Sequence, residues 1–363
     1  MHWVWLDMEK LLQIREPTMS PIRVSIVGAS GYGAAELLRR LLPDPDVQVL
    51  KLISKDDVGK PLSAVHLSLG DGADGYMIED ISVEEATEGA DLVFLGLPHR
   101  VSMDFAPRIL EKGVKLIDLS GDFRLRSTED YARYYGLQHT APELIERFAY
   151  GLPELFRDSI KTSSAVASPG CFATSQILPL APLARRGWLN RTVRVVSATG
   201  SSGSGANPSK GTHHPLRSVT LRPYRPLNHQ HTPEIVQALG DVGAENMRLD
   251  FVPVSAPLSR GILTTALMDL PESVGPQDLQ EAYLEDYGQE PFIRLVEGRL
   301  PEVASIKGSQ YVEIGHQYDD GRLAVFCALD NLVKGGAGQA IQSFNLMMGR
   351  PETTGLLASP TWP

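Results

Sequence analysis

The sequence predicts an α/β fold in two parts: a doubly wound parallel sheet, then an α+β domain with a mostly antiparallel sheet. From Arg23 to Leu119, short apolar strand runs alternate with helical patterns, which implies parallel strands joined by crossovers. From Val193 to Leu329, strand runs follow one another with few helices between them, which implies antiparallel neighbours.

Arg23–Val27 (RVSIV) reads as the first strand, followed by a glycine loop and a helical segment, Ala34–Leu42, that stops before Pro43. Val47–Ile53 is the next strand. Asp91–Leu97 and Val114–Leu119 follow, each behind a helical pattern, Val83–Glu88 and Met103–Lys112. The chain is then rich in Gly, Pro and Ser from Gly151 to Gly211. Later strands read at Val193–Ser197, Leu249–Val254, Ile262–Asp269, Tyr311–Tyr318 and Leu323–Leu329, and the last strong helix is Gly338–Met348. No internal repeat or low-complexity tract interrupts this order.

The loop Gly28-Ala29-Ser30-Gly31-Tyr32-Gly33 stands between a strand and a helix, as in a Rossmann-like dinucleotide site. Glycines let the backbone approach a pyrophosphate, and the helix amides favour its charge. Ala34 occupies the third glycine position of the spaced motif, a mild departure because Ala is still small. After the second strand, where an acid would hold the ribose of NAD, stand Ser54 and Lys55, which favours the 2′-phosphate of NADP. Asp56 and Asp57 follow closely and moderate that preference.

Between Ser159 and Pro233 there is no Asp or Glu, in a chain with 44 acids among 363 residues and a net charge of −10. Average usage would place about nine there. The same window contains Cys171, in Ser168-Pro169-Gly170-Cys171, at the start of an apolar helical segment. A helix start and basic surroundings lower a thiol pKa, so Cys171 is expected to be a reactive thiolate facing an anionic substrate. The alternative is a buried small hydrophobe, and Cys327, inside an apolar strand run, reads that way.

Asn228-His229-Gln230-His231 precedes a helix beginning near Pro233. Either imidazole could exchange a proton with a thiol, or both could be surface histidines in a loop. No second thiolate or carboxylate stands at a familiar ligand spacing, so no metal site is expected. Ser202, Gly203 and Ser204 lie in a hydroxyl-rich loop after a strand end, suited to phosphate. Arg260, at the start of a strand, could clamp a carboxylate with its guanidinium fork, although taken alone it reads first as a surface arginine.

Composition sets outer bounds. The negative charge and lack of a long basic tract argue against nucleic acid, and no apolar run is long enough to span a bilayer. Two cysteines make no disulfide framework, so a cytoplasmic location is expected. Residues 1–18 lack the layout of a signal peptide and read as a surface arm or a misassigned start before Met19.

Together these segments resemble N-acetyl-gamma-glutamyl-phosphate reductase, of the semialdehyde dehydrogenase superfamily. The matching stretches are GASGYGAAELLR (28–39), LGLPH (95–99), DLSGDFRL (118–125), YGLPEL (150–155), SPGCFATS (168–175), GSSGSGA (200–206), HQHTPEI (229–235), SRGILTT (259–265) and ALDNLVKGGAGQAIQSFNLMMGRPETTGL (328–356). Ser168 and Phe172 depart from the usual Asn and Tyr, and Thr212-His213-His214-Pro215 is similar to reductases of lysine biosynthesis that act on substrates attached to a small acidic carrier protein. The resemblance implies an acyl-phosphate reductase using NADP, a Cys171 thioester and a histidine acid/base, His229 first and His231 second. It implies cofactor contacts at the glycine loop, Pro98 and Asn331, and a homodimer or tetramer. It also implies a discontinuous dinucleotide domain (19–167 and 331–363) around a catalytic and dimerisation domain (168–330).

Overall fold

A computed structural model describes residues 20–189 and 192–362; the N-terminal extension, residues 1–18, lies outside the described residues. The first sheet contains β1 (Ile22–Val27), β2 (Val47–Ile53), β3 (Leu92–Leu95), β4 (Lys115–Asp118), β5 (Phe148–Tyr150) and β6 (Ala165–Ala167). Their order is β2-β1-β3-β4-β6-β5, and every neighbouring pair is parallel. Leu92–Leu95 is buried throughout, the continuous apolar pattern expected of a strand covered on both faces. The chain leaves β1 for β2 on one side and returns to β3 on the other, so a crevice opens at the carboxyl ends of β1 and β3.

The second sheet contains β7 (Thr192–Thr199), β8 (Arg222–Pro223), β9 (Arg248–Ser255), β10 (Ile262–Asp269), β11 (Ile293–Leu295), β12 (Val312–Asp319) and β13 (Arg322–Leu329). Their order is β11-β12-β13-β10-β7-β9-β8. The sheet is mixed and mostly antiparallel: β7–β9 and β11–β12 pair in parallel. The parallel β7–β9 pair follows from the helix His231–Asp241, which carries the chain back to the same edge before β9 begins. Along β10, Ile262, Thr264, Ala266 and Met268 point to the core while Leu263, Thr265, Leu267 and Asp269 face outward.

The helix Cys171–Arg185 runs through the centre of this domain, with every residue from Phe172 to Ala184 buried. It contains Pro179 and Pro182, which lack the N–H that would close the helical ladder. The Leu178 carbonyl, orphaned by Pro182, accepts a hydrogen bond from the Tyr287 hydroxyl at 2.6 Å; Tyr283 reaches the Pro179 carbonyl at 2.7 Å. Tyr287→Phe is therefore expected to cost about 1–3 kcal/mol by leaving a buried carbonyl unpaired. A lower urea midpoint with an unchanged slope would register that loss.

The final helix, Gly338–Met347, packs on the first sheet, where Phe344 meets Phe94 with ring centroids 5.7 Å apart. Before it, Val333–Ala337 forms a single π turn. Such turns are frequent at functional sites.

Candidate active site

The crevice between β1 and β3 is built for close backbone approach. Gly28 has φ +92°, and a Cβ there would lie 2.3 Å from the Gly96 carbonyl oxygen. Gly28→Ala is accordingly expected to abolish dinucleotide binding or folding, as read by ligand titration and circular dichroism. The helix Tyr32–Leu41 starts at Gly31 with no side-chain cap, so its amide end is open to an anion. Gly33 sits under Leu119, and Tyr32 is exposed at the helix start. At the end of β2, Ser54 Oγ lies 2.8 Å from Ser30 Oγ and accepts from the Asp56 amide at 3.1 Å. Lys55 is exposed beside them, and Pro98 is exposed on the loop after β3. These residues fit a dinucleotide: a glycine-lined turn, an uncapped helix end, and hydroxyl and ammonium groups at the ribose position.

Cys171 is the first residue of its helix, with Gly170 at the cap and no side chain occupying that cap. The expectation of a lowered thiol pKa is corrected here. Burial dominates and pushes the Cys171 thiol up to about 11, with Arg124 opposing it. The helix end does not offset the loss of water around sulfur. The acid-free window also has a boundary effect that its composition hides. Glu234, the first acid beyond it, folds back so that Oε1 accepts from the Gly170 amide at 2.8 Å and from the Tyr150 hydroxyl at 2.7 Å. Its charge adds to the rise in the thiol pKa. Arg124 lies 3.6 Å from Glu234 Oε2 and is itself held by the Ser168 and Leu119 carbonyls.

Both histidines of the pair reach the site. A Cβ on Gly170 would lie 2.3 Å from His231 Nε2, so that ring abuts the residue before Cys171. His231 Nδ1 is buried without a partner. His229 Nδ1 accepts from the His231 amide at 3.2 Å, which leaves the proton of the neutral ring on Nε2. The two rings meet edge to face at 4.8 Å, and both touch Phe172. Burial, with Arg225 and His99 adding to it, pushes His229 down to about 4. Burial also holds His231 well below the ordinary value.

On the other side, Gly335 of the π turn packs on Cys171: a Cβ there would come within 2.8 Å of the Cys171 Cβ. Asn331, in the same segment, accepts from the Gly261 amide at 2.7 Å and donates to Ser202 Oγ at 3.0 Å. The Ser201–Ser204 turn is thereby drawn to the site, with Gly203 and Ser204 on its exposed side. The Ser202 amide donates to the Ser259 carbonyl.

Arg260 requires a second correction. Its guanidinium contacts Asp330 at 3.0 Å and Glu36 at 2.7 Å, so the fork is already engaged by two carboxylates and is not presented to a substrate. It joins the helix that follows the glycine loop to the segment preceding the π turn.

Several site residues were not singled out from the sequence: Arg124, Glu234, Tyr150, Tyr224 and His99. His99 Nδ1 accepts from the Gly121 amide at 2.8 Å, and burial pushes the ring down to about 4, so it is a neutral donor through Nε2. Tyr224 packs edge-on to His229 at 5.9 Å. The segments carrying Arg124, Tyr150, Glu234 and His99 all match the resembled family, and that was the only sequence signal for them. Among the described residues, no group of three or more His, Cys, Asp or Glu is arranged to hold a metal, and no helix is long and apolar enough to cross a membrane.

Residues 23–163 match the semialdehyde dehydrogenase NAD binding domain, and residues 171–331 match the semialdehyde dehydrogenase dimerisation domain. The chain is 43% identical to an N-acetyl-gamma-glutamyl-phosphate reductase of Methanopyrus kandleri, over 92% of this chain and 97% of that protein. It is 41% identical to a putative LysW-L-2-aminoadipate/LysW-L-glutamate phosphate reductase of Ignicoccus hospitalis, over 92% and 97%. Its fold is shared with aspartate semialdehyde dehydrogenase II of Vibrio cholerae, at a TM-score of 0.70 and 17% identity, over 91% of this chain and 99% of that one. The chain therefore belongs to the semialdehyde dehydrogenase family, among relatives named N-acetyl-gamma-glutamyl-phosphate reductase and LysW-linked phosphate reductase alike.

Proposed function

We propose that this protein reduces N-acetyl-gamma-glutamyl phosphate to the semialdehyde and inorganic phosphate, with NADPH as reductant. The observation that carries the reading is Cys171 at an uncapped helix start, with the His231 ring against Gly170 before it, both imidazoles against Phe172 after it, and Gly335 of the segment that bears Asn331 packed on its Cβ. Bound at the β1–β3 crevice, the cofactor supplies a hydride. The chain supplies the remaining steps. The Cys171 sulfur attacks the acyl carbon while its proton passes to His231, whose Nε2 side lies against Gly170; the acyl–oxygen bond breaks and phosphate leaves. Gly203 and Ser204 face the departing phosphate, and His229 Nε2–H and His99 Nε2–H are donors for oxygen atoms that gain charge. After reduction of the thioester carbonyl, the carbon–sulfur bond breaks, the carbonyl re-forms, and the proton returns from His231 to sulfur. This ordering places His231 ahead of His229 as the base, because His229 Nδ1 is already an acceptor.

NADP is favoured over NAD by the Ser30–Ser54 hydroxyl pair and Lys55, with no acid at the end of β2. The outward face of β7 and β10, with Val196 and Leu267 about half exposed, is the surface we assign to subunit association. A carrier-linked substrate is the second reading. It is favoured by the exposed residues Lys210, Arg222 and Arg225 of the acid-free window, which would suit an acidic carrier. The reverse reaction separates the two. Phosphate-dependent NADP reduction with free N-acetylglutamate semialdehyde supports the first, and activity with a carrier-linked semialdehyde alone supports the second. No phosphate-dependent reduction of NADP with either would reject both.

A further inference from the structure

Lys334 and Glu154 are both fully buried, with Nζ and Oε1 2.5 Å apart. A buried ion pair is seldom more stabilising than apolar residues of the same volume, so its stability contribution does not account for it. Its placement does. Lys334 lies in the π turn one residue before Gly335, whose Cα side faces the Cys171 Cβ. Glu154 is the second residue of the helix Pro153–Thr162, next to the loop at Gly151. A Cβ on Gly151 would lie 2.8 Å from Val166 Cγ1 and 3.3 Å from the Ser168 Cα, so that loop rests on the segment leading into Cys171. Side-chain amides complete the brace. Lys334 Nζ donates to Gln342 Oε1 at 2.8 Å, Gln310 donates to the same oxygen at 2.9 Å, and Gln339 donates to the Gly151 carbonyl at 2.6 Å.

We propose that Lys334 and Glu154 are positioning residues that lock the π turn against the Gly151 loop and so hold Cys171 in its attacking geometry. The proposal rests on Cys171 being the nucleophile. A positioning error of about 1 Å costs on the order of 10²-fold in rate. Loosening the turn also admits water to the sulfur, which lowers the thiol pKa towards its ordinary value. The two effects have opposite signs in two assays.

The test uses the full chain with Lys334→Met and Glu154→Gln together, so that no unpaired charge is left in the interior. Expected are a kcat reduced about 10- to 100-fold, an unchanged Kd for NADP, and iodoacetamide alkylation of Cys171 at pH 8 that is faster than in the wild type. A folded double variant with wild-type kcat and a wild-type alkylation profile overturns the proposal. Should the double variant not fold, Gly335→Ala is read instead, since its Cβ would press on the Cys171 Cβ. Reduced kcat with unchanged NADP affinity supports the proposal, and unchanged kcat overturns it. Alkylation is read on the thiol without turnover. It therefore separates failure of the brace from failure of the nucleophile assignment, which Cys171→Ser tests alone.

Discussion

Cys171→Ser is expected to lower phosphate-dependent turnover by at least about 10⁴-fold, the scale seen when a covalent nucleophile is removed, with NADP affinity held within about twofold. Nothing else in the described residues can replace it. The other thiol, Cys327, is fully buried in β13. A serine hydroxyl at a helix start is a far weaker nucleophile without a strong base. The dinucleotide crevice lies on a separate sheet and keeps its glycine turn and uncapped helix. Steady-state rates and a fluorescence titration of NADP, run on the same preparation, separate chemistry from binding. Turnover within tenfold of the wild type would remove Cys171 from the mechanism.

His231→Asn is expected to lower kcat by about 10²- to 10⁴-fold, the range for loss of a positioned base. His229→Asn is expected to have the smaller effect on acylation, because its Nδ1 already accepts from the His231 amide. The pH dependence follows from burial. His229 and His99 are pushed down to about 4, and His231 is held well below the ordinary value, so all three rings are neutral at pH 6. The kcat/KM profile should then show no acid limb near pH 6.5. The thiol, pushed up to about 11, is protonated at neutral pH, so alkylation in the absence of substrate should climb about tenfold per pH unit between pH 8 and 10. A plateau near pH 7 would instead indicate a pre-formed thiolate. Stability carries the same signature. The folded chain resists protonation of these rings while the unfolded chain takes protons near pH 6.5. Between 6.5 and about 4 the unfolded state binds more protons, and stability falls as pH falls. Thermal melts over that range read the slope.

Local pattern made much of the fold legible. Val47–Ile53 and Ile262–Asp269 appear as strands with the bounds that their apolar runs and turn residues imply. The glycine loop was readable because a φ of +92° beside Gly96 leaves little choice of residue at position 28. Short or covered elements were not. β5, β6 and β11 have three residues each and no periodicity to detect. The parallel β7–β9 pair depends on where a crossover helix lands rather than on either strand's composition.

At the candidate site, residue type and local spacing pointed to Cys171 and the two histidines. What surrounds them is long-range and was invisible. Arg124 reaches the site from the first domain, and Glu234 lies 64 positions from the Gly170 amide it accepts from. The Arg260 assignment failed because an arginine's fork says nothing about which carboxylates the fold will bring to it. The thiol pKa was misjudged for a related reason: the helix end is local, but the burial that outweighs it is made by the whole domain.

The central claim is that Cys171 is acylated before any hydride moves. The most direct test mixes the protein with acyl phosphate, generated in place by its kinase, in the absence of NADPH, followed by acid quench and peptide mass spectrometry. The account predicts about one phosphate released per chain, the acyl mass on the peptide carrying Cys171, and loss of that mass when NADPH is added. Phosphate release with no adduct on Cys171, or product formation from NADPH in a chain whose Cys171 has been alkylated, would contradict it.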